Sequence, residues 1–234
     1  SSTSSFLYEI PFYMINLEGL VYYVYVSDPL GNEIITDTTD VLLSFNERVV
    51  SSGMNYGEFA QGFPKESWRM VSVPSYLNRN SLENIFYSVL GTTSESSWMI
   101  YTWNYSESSG ESNTNIGWGQ PVSIEPGKAY WLKQIVVDDG YFAAPSGKTV
   151  ELTGYDVSVN PGWNMISSPY IFPVSVDIDK GVFSDLHMYG DGDLEGWVDT
   201  VVTVMSPWAG YAVYNHASSE KKISLKPLSS RNSR

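Results

Sequence analysis

The sequence has no cysteine, and that one absence removes disulfides, thiolate nucleophiles and cysteine-ligated zinc together. Histidine occurs only as His187 and His216. No Gly-x-Ser-x-Gly elbow accompanies either one, no His/Glu spacing suggests zinc, and no Gly-rich loop is placed to hold a phosphate. Basic residues are scarce too: 13 Lys and Arg stand against 26 Asp and Glu, for a formal charge of −13. Such a surface repels a phosphate backbone, so nucleic acid is not expected as a partner. No apolar run approaches the roughly 18 residues that a transmembrane helix needs, and no charged-then-apolar leader opens the chain. The start Ser1-Ser2-Thr3-Ser4-Ser5 is that expected of a processed product or a fragment of a longer protein.

What is present is aromatic. Tyr, Trp and Phe make up 15% of 234 residues, with 17 Tyr and 8 Trp, and short apolar runs alternate with stretches rich in Gly, Pro, Ser, Asn and Thr. That mixture predicts an all-β protein, long enough for one large or two to three small domains without a metal or disulfide staple. The chain also repeats itself. Trp68-Arg69-Met70-Val71-Ser72-Val73-Pro74 returns as Trp163-Asn164-Met165-Ile166-Ser167-Ser168-Pro169. Downstream of the first copy come Met99-Ile100-Tyr101, Trp118 and Pro126-Gly127-Lys128-Ala129-Tyr130-Trp131-Leu132; downstream of the second come His187-Met188-Tyr189, Trp197 and Pro207-Trp208-Ala209-Gly210-Tyr211-Ala212-Val213. Order and residue type agree while spacing drifts, which marks each copy as a structural unit with insertions in its surface loops.

The rest of the chain arranges itself around these copies. Leu7–Ile15 and Gly19–Asp28 have strand chemistry, and Pro29-Leu30-Gly31-Asn32 makes a turn into Glu33-Ile34-Ile35-Thr36, which reads as a hairpin. Residues 46–67 have linker composition but carry Phe59 and Phe63. Ser81 to Gly91 is the one helical stretch: Leu82, Ile85, Phe86, Val89 and Leu90 keep helical spacing, Ser81 can cap the start and Gly91 the end. Trp98–Trp103, Val122–Glu125 and Ala129–Val137 read as strands, with a polar Ser/Thr-rich loop from Ser106 to Thr114. Tyr155–Val159 alternates strictly, as a half-buried strand does, Asn160-Pro161-Gly162 turns into the second copy, and Lys222–Leu225 is a last strand. The expected division is 1–45 as part of a domain, 46–67 as linker, 68–145 and 146–228 as tandem β-sandwich-like repeats with one short helix, and 229–234 as a tail.

Two resemblances accompany these motifs. The block from Gly19 to Asn32, Gly-x-x-Tyr-Tyr-x-x-x-x-Asp-x-x-Gly-Asn, resembles the last strands of immunoglobulin-like or fibronectin type III modules of bacterial surface proteins. About 50 residues are too few for a sandwich of about 100, so residues 1–45 are expected to be half of one, completed by an upstream piece or by strand addition from another chain, or else to pack elsewhere. The pattern Trp-x-Met-Val/Ile-Ser-x-Pro followed by Pro-Gly-Lys-Ala-Tyr-Trp-Leu, over about 68–214, resembles a duplicated module near the C-terminal ends of long secreted proteins of the Bacteroidetes. In such proteins the module commonly follows immunoglobulin-like domains and precedes a type IX secretion sorting segment. The resemblance implies a secreted or cell-surface bacterial β-module without catalytic residues. Its work would be that of a spacer, anchor or protein contact within a larger parent protein, whose other domains or chains are its partners.

The candidate sites divide by context. Trp68, Trp163, Tyr130, Trp131 and Tyr211 recur at strand positions and read as core packing. Trp118 and Trp197 sit beside glycines on polar connections, and Trp208 follows Pro207; these three are the candidates for a stacking platform, and with them a carbohydrate-binding module is the alternative function. Tyr189-Gly190-Asp191-Gly192-Asp193-Leu194-Glu195-Gly196 spaces Asp191, Asp193 and Glu195 alternately, as the opening of a calcium loop does, although Asp-Gly is equally a hairpin turn. Apart from such a structural calcium ion, no cofactor is expected. His187 lies in a strand motif, where a structural role is the expectation, and no carboxylate pair is singled out for glycoside hydrolysis. An accessory, non-catalytic segment of a secreted peptidase is a further reading.

Overall fold

The computed structural model describes residues 19–45, 49–50, 63–91, 96–106, 110–115, 123–136, 139–140, 143–144, 146–190, 196–198 and 201–227. The chain is all-β with one short helix. It opens with an arm built of β1 (Leu20–Tyr22), β2 (Tyr25–Ser27), β3 (Glu33–Ile35) and β4 (Thr39–Val41), in which β2 pairs with β3 and β1 with β4. The predicted turn closes it. The Asp28 carboxylate accepts hydrogen bonds from the Leu30 and Asn32 backbone N–H groups and from the Asn32 side chain, and Gly31 supplies the positive φ of 85°. The Asn32 contacts, its side chain above all, hold the Asp28 carboxyl below the usual range. Of the expected half-domain, residues 1–18, including the strand read at Leu7–Ile15, lie outside the described residues.

Next come β5 (Ser44–Phe45), β6 (Val49–Val50), β7 (Phe63–Pro64), β8 (Trp68–Val71) and β9 (Tyr76–Leu77), then α1 (Leu82–Leu90). The helix follows its sequence signals. Ser81 Oγ accepts from Asn84 N–H at the N-cap, Gly91 takes φ 70° and donates its N–H to Tyr87 C=O, and Ile85, Phe86 and Leu90 are buried. Trp98 locks this end to the sheet by packing on Phe86 and donating its indole N–H to Gly91 C=O. β10 (Trp98–Ser106), β11 (Gly110–Asn115) and β12 (Tyr130–Gln134) then form a four-stranded sheet in the order β11-β10-β12-β8. Of the stretch read as a polar loop, Ser106 ends β10 and residues 110–114 lie in β11; their Ser and Thr content mimics loop composition while their backbone completes a ladder with β10. Three short strands, β13 (Asp139–Gly140), β14 (Ala143–Ala144) and β15 (Gly147–Lys148), pair back on β7, β6 and β5 in turn. The stretch with linker composition thus contributes two of their partners.

The second copy supplies β16 (Tyr155–Val159), β17 (Gly162–Ser167), β18 (Val174–Ser175), β19 (Met188–Gly190), β20 (Gly196–Val198), β21 (Val204–Met205), β22 (Gly210–Asn215) and β23 (Lys221–Leu225). β16 alternates in burial as predicted and pairs with β23. The two copies use one register. Met70 lies opposite Trp131 and Val71 opposite Tyr130 on β8/β12, just as Met165 lies opposite Ala212 and Ile166 opposite Tyr211 on β17/β22. They also clasp each other reciprocally. Ser72 N–H donates to Trp208 C=O and Ser72 Oγ to Ala209 C=O, while Ser167 N–H donates to Gly127 C=O and Ser167 Oγ to Lys128 C=O. One buried cluster draws Val71, Phe86, Trp98 and Leu132 together with Ile166, Phe183, Tyr211 and Val213, so the two copies share a core.

Several core tyrosines end on backbone carbonyls. Tyr130 donates its hydroxyl to Ser123 C=O and accepts from Glu125 N–H, and Tyr211 likewise accepts from Ser206 N–H. Tyr155 donates to Pro126 C=O, and Tyr170 to Glu151 and Leu225 C=O. Burial, ahead of the nearby Glu125 charge, pushes Tyr130 up to about 12, and burial likewise raises Tyr155 and Tyr170. An unfolded tyrosine ionises near about 10. Above that pH the unfolded chain releases protons that the folded chain keeps, so stability is full below about pH 10 and falls as pH rises from about 10 towards about 12. Urea midpoints measured across that window should fall steadily, and Tyr130→Phe should make the fall shallower. An unchanged slope in Tyr130→Phe would assign the alkaline loss elsewhere.

Candidate functional site

A strand shows alternate residues to opposite sides, and here the side opposite the shared core is aromatic. On β12, Tyr130, Leu132 and Gln134 are buried while Trp131 and Lys133 are half-buried. Trp131 therefore faces outward, beside Trp68 of β8 and Tyr101 of β10, with the Lys133 ammonium 5.8 Å from the Trp68 ring. In the second copy the same phase presents Trp163, Met165, His187 and Tyr214. Edge-to-face contacts then join the rings into one strip. Trp68 meets Trp131 at 6.4 Å, Trp131 meets Tyr189 at 4.8 Å and Trp197 at 6.0 Å, Trp197 meets His187 at 6.4 Å, and His187 meets Trp163 at 5.7 Å. Each such pair stabilises the arrangement by about 0.5–1.5 kcal/mol beyond the area it buries.

Two clefts flank the strip, and the register of the copies explains their difference in size. The smaller, about 350 Å³, is walled by Trp68, Tyr101, Trp131, Tyr189 and Trp197. Its counterpart, about 430 Å³, is lined by Trp163, His187, Ala212 and Trp103, with Trp131, Trp197, Met165 and Asn164 closing it. Trp68 corresponds to Trp163 by register, Tyr101 to His187 through their pairing with Trp131 and Ala212, and Trp131 to Ala212. Alanine thus stands in the second copy where the first has tryptophan, and the larger cleft opens there.

Polar groups in the larger cleft are few and specific. Asn164 is committed to the turn before β17: its amide donates to Asn160 and Gly162 C=O and its oxygen accepts from Asn160 N–H. His187 contributes its imidazole. The Trp103 indole N–H is buried in the cleft wall with no hydrogen-bond partner among the described residues. A buried donor left unpaired costs about 1–3 kcal/mol, and this nitrogen has essentially no surface open to the cleft.

The expected platform residues fare differently. Trp197 is 56% exposed and forms the ridge between the clefts. Trp208 is corrected: it is 1% exposed in the shared core, because the Pro207-Trp208 turn folds its ring inward at φ 68°. Trp118, and the calcium candidates Asp191, Asp193 and Glu195, lie outside the described residues. Trp163, read as core, is 38% exposed, and Trp68 and Trp131 are half-buried cleft walls. His187 corresponds by register to Tyr101. Sequence reasoning missed Trp163, Trp131, Trp103 and His187 as candidate site residues; Trp163 and Met165 alternate with Ile166, but only the structure shows that Ile166 is on the covered side.

Among the described residues no group of three or more His, Cys, Asp or Glu is placed to hold a metal ion, and no helix is long and apolar enough to cross a membrane. No protein-family model, curated protein or solved structure matches this chain.

Proposed function

We propose that this chain is a duplicated, non-catalytic β-module of a larger secreted or cell-surface bacterial protein, and that its aromatic cleft binds a neutral saccharide. A cleft walled by Trp163, Trp131 and Trp197, with the first and last of these rings partly open to solvent, carries this reading. Sugar rings offer flat C–H faces to indole rings and hydroxyl groups to the His187 imidazole that lines the cleft. A volume of about 430 Å³ lies within the usual range for small-ligand sites. The overall charge of −13 disfavours anionic ligands.

Calorimetric titration with neutral β- and α-linked oligosaccharides, followed in parallel by tryptophan fluorescence, tests the proposal. Trp163 and Trp197 are partly solvent-exposed, so Trp163→Ala and Trp197→Ala should leave the fold intact. Each should weaken saccharide binding by about tenfold or more, as loss of an aromatic anchor does. Absence of binding across the oligosaccharide panel, or unchanged binding in both variants, would overturn the reading.

A further inference from the structure

Among the described residues, the arm formed by β1 to β4 is fastened to the body at its base. There the Asp40 carboxylate accepts from Leu152 N–H, Thr153 N–H and the Thr153 hydroxyl, and Leu43 and Thr149 exchange hydrogen bonds. Beyond the base every residue from 22 to 39 is exposed. Both faces of the ribbon are apolar. Tyr25 and Ile35 share one face by register, Val26 and Ile34 share the other, and Leu30 at the tip is 88% exposed. A two-stranded ribbon in water is marginal by itself, and among the described residues β2 and β3 pair only with each other.

Edge strands ordinarily discourage pairing with lysine, proline or a covering loop. β2 and β3 carry neither Lys nor Pro. Residues 1–47 contain no Lys or Arg at all, and the exposed part of the arm bears Asp28, Glu33 and Asp37. That charge decides between occupants. A second copy of the chain would bring like carboxylates together, an arrangement that is destabilising across paired strands. A cationic strand would gain both the ladder and the charge pairing.

We propose that the arm is a strand-addition site for a partner polypeptide, and that the segment it takes is extended, apolar on alternate residues and basic. The partner pairs along an edge of β2 or β3 that no described residue occupies, its apolar side chains cover the ribbon, and its Lys or Arg residues reach Glu33 and Asp37. This surface is separate from the aromatic cleft, so either proposal can fail without the other.

The test uses the full chain and three synthetic nine-residue peptides: alternating Val and Lys, alternating Val and Glu, and a Val/Lys peptide interrupted by two prolines. Hydrogen exchange of the arm amides reads pairing, and titration reads affinity. The Val/Lys peptide should slow exchange at Tyr25–Ser27 or Glu33–Ile35 and bind more weakly as salt rises, while the other two should not protect the arm. In Glu33→Lys/Asp37→Lys the preference should swing towards the Val/Glu peptide by about tenfold, as two exposed charge pairs allow. Equal arm protection by the proline-interrupted peptide, arm protection that already exists through dimerisation of the chain, or an unchanged preference in the charge-reversed variant would each overturn the proposal.

Discussion

Gly210→Ala should destabilise the protein by about 3 kcal/mol and lower its Tm by about 6–12 °C, the scale of an overpacked core position in a chain of this size. The reason lies where the two copies meet. A Cβ at Gly210 would stand 2.6 Å from Ala129 Cβ and 2.7 Å from Met70 Cβ, with the Met70 carbonyl carbon at 3.2 Å. No flexible side-chain end is available to give way, since each of those atoms is fixed to backbone. Ala129 is the residue that matches Gly210 in the other copy, each being followed by the tyrosine that opposes Val71 or Ile166. The junction therefore accommodates one methyl group, contributed from the first copy. Moving that methyl across should restore part of the loss: Ala129→Gly/Gly210→Ala removes the 2.6 Å contact but keeps the one with Met70. Chemical denaturation of both single variants and the double should give a coupling of about 1 kcal/mol or more. Simple additivity would mean that the two positions do not share the space.

The same junction shows what could be read from sequence. The all-β class, the helix from Leu82 to Leu90 with Ser81 and Gly91 as its caps, and the Asp28–Asn32 turn all rest on local chemistry, and the sequence carries local chemistry directly. Strand phase is another matter. Tyr130-Trp131-Leu132 and Trp68-Arg69-Met70-Val71 hold large apolar residues at both phases, so alternation alone does not say which face is covered. The partner strands decide it. Arg69, opposite Leu132, is drawn to the covered side and is 6% exposed, while Trp131 is left on the cleft side. The Trp/Ala difference at 131 and 212 is visible in the sequence. That it opens a cleft emerges only once the register of β12 and β22 is known.

Trp208→Gly makes the sharpest contrast with a sequence-level argument, and it should be destabilising by about 2–4 kcal/mol. Backbone preference alone predicts the opposite. Trp208 has φ 68° and its counterpart Gly127 has φ 83°; a non-glycine residue in that region costs about 1–2 kcal/mol, which glycine would recover. Against this stands the ring. Trp208 is 1% exposed and belongs to the shared core, and removing a buried tryptophan side chain typically costs about 3–5 kcal/mol, so packing wins. The first copy solves the same problem from the other direction. At Gly127 a Cβ would lie 2.9 Å from Tyr155 Cε1 and 3.3 Å from Val157 Cγ2, so the neighbouring strand occupies the space beside the turn, and Tyr155 hydrogen-bonds Pro126 from there. Gly127→Ala should therefore also destabilise, through the clash and the positive φ together, while a Trp ring at 127 has nowhere to go. Denaturation midpoints for Trp208→Gly and Gly127→Ala that both fall below the parent chain would show that equivalent turns have been filled by different residues. A more stable Trp208→Gly would mean that backbone strain at this turn outweighs the core it fills.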